Sequence, residues 1–297
     1  MKYMFSSCSN LKSLDVSNLD TSQVKDMSYM FNDCSSLTFL NVSGFNTDKV
    51  TNMDYMFQGC SKLISINVQS FNTSKVASMS YMFQDCKTLI FLDLSSFITS
   101  SVTKLDYMFN DCSNLKSLNI SSFDTSKVVD MSDLFAGCLN LTVLDLSNFN
   151  TSSVISMRGM FRGCFSLISL NINSFDTSKV TIMNYMFSNC TLFNTLDLSH
   201  FNTSSLKMMS NMFNGCINLI SINLSSFDTS LVTNMDSLFK NCKKITFVDI
   251  SNFDISLVTT VAGMFYGCTN LISIDLSNFG ESLVNTLLLS ILILFLL

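Results

Sequence analysis

Hydrophobic and polar positions recur along the chain with a period of 26 residues, and two local rhythms alternate inside each period. A fixed period of this size marks a stacked repeat array whose unit is one supersecondary element. The segment L-x-x-L-[DN]-[LIV]-S, for example 89–95, sets Leu92 and Leu94 on either side of Asp93. That alternation predicts a short strand with one buried face. The other half behaves differently. Val50, Met53, Met56, Phe57 and Cys60 place apolar side chains at i, i+3, i+6, i+7 and i+10, which predicts a short helix or successive 3₁₀ turns with one buried stripe. Between the two lies [DN]-T-S, as in Asp124, Thr125 and Ser126, whose short oxygen-bearing side chains suit the start of a helix.

The register is unbroken. Cys8, Cys34, Cys60, Cys86, Cys112, Cys138, Cys164, Cys190, Cys216, Cys242 and Cys268 are each 26 residues apart, without insertion or deletion across eleven copies. One strand and one helical turn cannot bury their own apolar face, so neighbouring units must stack and share a parallel sheet. The expectation is an α/β repeat solenoid with a strand and a helix or 3₁₀ segment in each of eleven units, roughly 50 Å long at a strand spacing of about 4.8 Å. Residues 1–282 form this single solenoid, with an incomplete first repeat, and 283–297 form an apolar C-terminal tail.

The strand core L-x-x-L-x-L with a cysteine three residues upstream resembles a leucine-rich repeat. The unit L-D-L-S-x-F-[DN]-T-S-x-V-x-x-M-x-x-M-F-x-x-C resembles the BspA-type subclass, surface and secreted proteins of bacteria and protists. The likeness runs from residue 1 to about 279. It implies a solenoid at the cell surface or in the medium, engaged in adhesion or host-surface binding, and it supplies no catalytic residues. A fold does not fix a function, so the adhesion reading rests on analogy.

Composition removes several classes. A net charge of −5 with no basic block argues against nucleic-acid binding. His200 is the single histidine and reads as an exposed turn residue, so triad and His-metal chemistries lack their usual centre. No acid–base pair, phosphate loop or activated nucleophile stands at a defined spacing, and neither enzyme activity nor a cofactor is expected. The cysteine column reads as buried, reduced thiols, because in-register Cβ atoms stay near 4.8 Å apart rather than the ~3.8 Å a disulfide prefers. Zinc needs converging ligands such as C-x-x-C, which are missing.

Two columns on the expected open sheet face are candidates for binding. The first alternates between Asn and Asp from Asn67 to Asp249, including Asp93, Asp145, Asp197 and Asp249, so the deeper unit is 52 residues. Alternation keeps like charges off directly opposed positions. A solvated ladder of amide hydrogen bonds is one reading of it, and a cation or glycan surface is the other. The second column carries Phe39, Phe91, Val143 and Phe247 among Ser residues, with Thr195 interrupting the series. Spaced apolar side chains among polar ones suit a protein or glycan ligand. A column of Tyr3, Tyr29, Tyr55, Tyr81 and Tyr107 on the helical side, ending at Asp133, ranks lower.

Both ends depart from the pattern. Met1 falls in mid-repeat with no signal peptide before it, which suggests a clipped reading frame, a fragment or a short paralogue, the first two preferred. The stretch 287–297 is apolar except for Ser290, and even from Leu283 it is shorter than a bilayer span. It reads as an anchor signal attached near Asn278 or Gly280, as a truncated membrane span, or as an apolar cap. The first two imply membrane attachment. Eight N-x-[ST] sequons, three of them on the sheet face at Asn41, Asn119 and Asn223, permit secretion without requiring it. The functional expectation is a non-enzymatic surface recognition or adhesion protein. An intracellular (cytoplasmic) scaffold and a structural coat component are the alternatives.

Overall fold

Nine short strands recur at the repeat interval in the computed structural model, which describes residues 1–281, 283 and 285. They are β1 (Ser13–Leu14), β2 (Phe39–Leu40), β3 (Ser65–Ile66), β4 (Phe91–Asp93), β5 (Ser117–Asn119), β6 (Val143–Asp145), β7 (Ser169–Asn171), β8 (Thr195–Asp197) and β9 (Ser221–Asn223). Every pairing is parallel and joins equivalent positions, as in Phe91↔Ser117 and Asp93↔Asn119. A second row of parallel bridges runs from Asp26↔Asn52 to Asn234↔Thr260 on another side of the coil. The molecule is a parallel β-solenoid. Strand geometry is confined to nine of the eleven sequence units; around Phe247 and Ser273 none is assigned.

Pairing follows the longer period. After β1-β2-β3 the sheet divides into β4-β5, β6-β7 and β8-β9. Within each of these pairs an Asp-bearing strand lies beside an Asn-bearing one, so no carboxylate faces another across a ladder.

The expected helix is absent and the reason is visible in the backbone. Among the described residues, helix is assigned only at Glu281, Leu283 and Asn285. The M-x-x-M-F segment is a ribbon of successive turns. Met56, Gln58 and Cys60 donate to the carbonyls of Met53, Tyr55 and Phe57, closing turns of four residues. Tyr55 and Gly59, each third in such a turn, have φ of 58° and 71°. Left-handed residues four apart prevent the helical hydrogen-bond pattern. The intervening N–H groups of Met53, Tyr55, Phe57 and Gly59 point instead along the solenoid, to the carbonyls of Ser78, Ser80, Met82 and Gln84 at 2.8–3.2 Å. The i, i+3, i+6, i+7, i+10 apolar spacing fits this ribbon as well as a helix. A second signal separates them. Asp33, Gly59, Asp85, Asp111, Gly137, Gly163, Asn189, Gly215, Asn241 and Gly267 all precede the cysteine, and these are the residue types that tolerate positive φ.

The [DN]-T-S junction is likewise no helix cap. Its Asp or Asn carboxyl or amide oxygen accepts from the backbone N–H two residues on, as Asp124 does from Ser126 at 3.0 Å, forming an Asx turn. Its threonine is buried and links coils. The Thr125 hydroxyl donates to the Asn150 carbonyl at 2.9 Å and accepts from the Asn150 N–H at 2.9 Å. Thr21, Thr47, Thr73, Thr99 and Thr203 make the same double contact with the next coil.

Columns of identical side chains fill the interior. The phenylalanines from Phe5 to Phe265 stack in one file, with ring centroids 5.4–6.2 Å apart. Methionine, valine and leucine columns surround them. The cysteines are free thiols and all but Cys8 are buried. From Cys34 to Cys268 each thiol donates to the phenylalanine carbonyl 29 residues earlier, at 3.0–3.3 Å. Burial pushes Cys34 up to about 11 and Cys164 and Cys216 up to about 12.

These thiols make stability fall with alkali. An unfolded thiol loses its proton near pH 8.5, whereas the folded ones hold theirs to about 11 or 12. The folded state therefore binds more protons across that window, and stability drops as pH rises through it. Urea midpoints are expected to be flat from pH 6 to about 8 and to fall steadily from about pH 9. A midpoint unchanged to pH 11 would contradict the buried thiol file.

Candidate binding face

The strand face presents the sequence-predicted residues in one continuous surface. Phe39 (62% exposed), Phe91, Val143 (61%) and Phe247 all project into solvent. They are large apolar side chains more than half exposed, whereas the residues after them, Leu40, Leu92, Leu144 and Val248, are buried. Asp145, Asp197 and Asp249 are exposed beside them and Asp93 is half-buried.

The acidic column is wired differently from the expected amide ladder. Asp93, Asp145, Asp197 and Asp249 each accept from the N–H of the serine two residues on, at 3.0–3.1 Å. These serine contacts hold the four carboxyls below the usual carboxylate range. In the aspartate–asparagine pairs the direct cross-strand bond is that from Asn171 Nδ2 to Asp145 Oδ1, 3.0 Å. One oxygen of each carboxylate thus fixes its own turn.

Sequence reasoning missed half of the apolar surface. Ile64, Ile168, Ile220 and Ile272, each just before a Ser-bearing strand position, are exposed, Ile168 to 66%. Open recesses show that this column shares the face. One of about 440 Å³ between β5 and β6 is lined by Lys116, Asn119, Val143, Asp145 and Asn148. Another of about 190 Å³ between β7 and β8 is lined by Ile168, Asn173, Thr195 and Asp197. Apolar side chains therefore recur along the solenoid, Phe or Val on alternate coils and Ile on most of those between, with Ile90 exposed beside Phe91 on one coil and breaks at Lys12-Ser13, Lys116-Ser117 and Asn194-Thr195. The signal was the counter-alternation of Ile-Ser with Thr-Phe or Thr-Val, broken at Ile90-Phe91 and legible once the columns are aligned in pairs.

The tyrosine column lies on the turn ribbon. Tyr3, Tyr29, Tyr55, Tyr81 and Tyr107 occupy left-handed positions with φ of 57–62°. Their rings stack at 4.3–4.6 Å, which offsets part of the conformational cost. Burial pushes Tyr81 up to about 12 and raises Tyr55 and Tyr107. The stack ends where the buried Asp133 takes the next place. Arg158 and Arg162, the only arginines in the chain, both reach Asp133, at 3.0 and 2.8 Å, and Arg158 also meets the Tyr107 hydroxyl at 3.1 Å. Gly159 (φ 59°) makes this possible, since a Cβ there would collide with Asp133 Oδ1. Tyr185 resumes the column beyond the break.

The remaining expectations fall as follows. His200 is an exposed turn residue whose ring stands edge-on to Phe201 and whose Nε2 meets the Ile172 carbonyl at 3.1 Å. Among the described residues no group of His, Cys, Asp or Glu could hold a metal ion. Asn278 is exposed and donates to the Ser251 carbonyl, and Gly280 is exposed with nothing packed on it. The anchor expectation for 287–297 lies outside the described residues, and among those described no helix is long and apolar enough to cross a membrane.

Comparison with known proteins gives family and neighbours. No curated protein matches the chain. Among solved structures it is similar to the T. pallidum leucine rich repeat protein TpLRR, at 20% identity over 71% of this chain and 75% of that one, with a TM-score of 0.35. It is similar also to a leucine rich cell surface protein from Faecalibacterium prausnitzii, at 18% identity over 73% and 74%, with a TM-score of 0.32. An internalin from Listeria monocytogenes shows 12% identity over 81% and 67%, with a TM-score of 0.26. One family model matches residues 1–117, 86–196 and 193–287, the whole repeat array, and the chain belongs to the family it describes, "Mycoplasma protein of unknown function, DUF285".

Proposed function

We propose that this protein is a non-enzymatic recognition protein of the cell surface, related to the BspA-type repeats, that binds a protein partner along its strand face. The observation that carries the reading is the exposed series of Phe39, Ile64, Phe91, Val143, Ile168 and Phe247. A soluble solenoid gains nothing in stability from phenylalanine in water, and contiguous exposed apolar surface rimmed by polar groups marks an interaction site. The Asp column beside it supplies orientation and encounter rate. The ten buried thiols, Cys34 to Cys268, are compatible with an oxidising exterior because burial keeps them protonated and away from oxidants.

The test is site-specific photo-crosslinking in intact cells. A benzophenone amino acid at position 91 is expected to capture a protein partner. The same group at Ile155, exposed beside the second ladder, is expected to capture none. Equal capture at both positions would refute the assignment of the face. Protease shaving of the same cells must remove the crosslinked species if the face is outside.

A further inference from the structure

The apolar row and the acidic column share one axis and one period, and this restricts what can lie along them. Phe39, Phe91, Val143, Thr195 and Phe247 recur every 52 residues, on alternate coils. At a parallel strand spacing of about 4.8 Å that step is about 9.6 Å. A partner that offers equivalent side chains to each member of the row must match it. A polyproline II segment advances about 9.3 Å in one three-residue turn. Two turns of α-helix advance about 10.8 Å. A β-strand returns to the same face after about 6.8 Å. Over the four steps from Phe39 to Phe247 the misfit grows to about 1.2 Å for polyproline II and about 4.8 Å for the α-helix, which is half a step out of register. The β-strand is about 2.8 Å out at the first step.

Charge selects further. The strand columns and the residue before them carry six carboxylates, Asp15, Asp93, Asp145, Asp197, Asp249 and Asp275, against Lys12 and Lys116. Each of the six has its carboxyl held below the usual range by the serine two residues on, so the column is ionised throughout the neutral range. The complementary ligand is cationic.

We infer that the face receives a cationic, proline-rich segment of a partner protein in polyproline II conformation, lying along the solenoid axis. One edge of its three-fold helix rests on the phenylalanine row, and a second, carrying Lys or Arg every third residue, runs beside the aspartates. Such a segment is ordered before it binds and loses little conformational entropy on docking. The inference rests on the reading of the strand face as a protein-binding surface.

The experiment uses the full chain and three synthetic peptides in titration calorimetry. (Pro-Pro-Lys)5, about 46 Å long in polyproline II form, spans the row. (Gly-Gly-Lys)5 keeps the charge and spacing without the conformation, and (Pro-Pro-Glu)5 reverses the charge. The first is expected to bind at least about tenfold more tightly than the second, and the third not at all. Phe39→Ser, Phe91→Ser and Phe247→Ser together are expected to weaken (Pro-Pro-Lys)5 at least about tenfold while leaving the circular-dichroism melt unchanged. Asp145→Asn with Asp197→Asn should weaken it and flatten its dependence on salt between about 0.05 and 0.5 M. Absence of (Pro-Pro-Lys)5 binding, equal binding of the glycine peptide, or full binding by the triple variant would each overturn the inference. If the peptide fails while position 91 still crosslinks a protein, this inference alone falls. If both fail, the reading of the face falls with it.

Discussion

Thr125→Val is expected to destabilise the solenoid by about 2–4 kcal/mol although the two side chains have nearly the same shape. The Thr125 hydroxyl is fully buried and serves both the N–H and the C=O of Asn150 in the next coil. Valine leaves both groups without a partner, and an unsatisfied buried donor or acceptor costs about 1–3 kcal/mol. Asn150 itself is exposed, so water can recover part of the loss, and this sets the lower half of the summed range. Thr125→Ser keeps the oxygen and should cost well under half as much. Equilibrium urea unfolding checks both. Because repeat arrays can unfold in parts, the midpoint and the m-value should be followed together. Equal stability of the valine and serine variants would show that the hydroxyl does not join the coils.

The second large effect is expected at the only two arginines. Arg158→Ala with Arg162→Ala should cost about 3–5 kcal/mol, because Asp133 has a side chain only 1% exposed and both its oxygens are held by these guanidinium groups. Removing the cations leaves a buried carboxylate unpaired. Adding Asp133→Asn to the double variant should recover most of the loss, since an amide carries no charge into the site. A double variant as stable as the parent would mean that water reaches Asp133 and that the cluster is a surface feature. A triple variant that stays as weak as the double would mean that the arginines act through packing on Tyr107 rather than through charge.

How much of this molecule is legible in its sequence depends on whether a feature is copied from unit to unit. The stacking register was open to inspection because Cys8 to Cys268 keep one interval, and in-register parallel stacking of equivalent residues follows from it. The inward and outward sides of the strand were readable as well, since Leu92 and Asp93 differ in polarity at period 2 and the structure buries the first while leaving the second half-exposed. Phe39, Phe91, Val143 and Phe247 were found because each stands out from a serine column. The isoleucines before the alternate strands were overlooked because each, taken singly, looks like another core residue.

The turn ribbon escaped for a different reason. Apolar spacing reports which side chains are buried and does not report where backbone N–H groups point, so Val50, Met53, Met56 and Phe57 satisfy a helix and a stack of turns alike. The neighbouring coil, whose carbonyls receive the N–H groups of Met53, Tyr55, Phe57 and Gly59, decides between them, and the Gly, Asp or Asn before each cysteine is the local mark of the outcome. The Asp133 cluster is similar. Arg158 and Arg162 meet Asp133 from 25 and 29 residues away along the chain, and the pairing exists because stacking places coil upon coil.

The sequence by itself determined the period, the composition of each column, and the side of the strand that is buried, because these follow from which residues repeat and how polarity alternates. The tertiary structure alone decided the hand of the Tyr55 backbone, the partners of the buried threonines and thiols, and the joining of the Ile column to the face of the Phe and Asp columns. Those are relations between coils. A hydrogen bond that crosses from one coil to the next costs the chain nothing in local propensity and leaves no mark in local pattern until the coils are stacked.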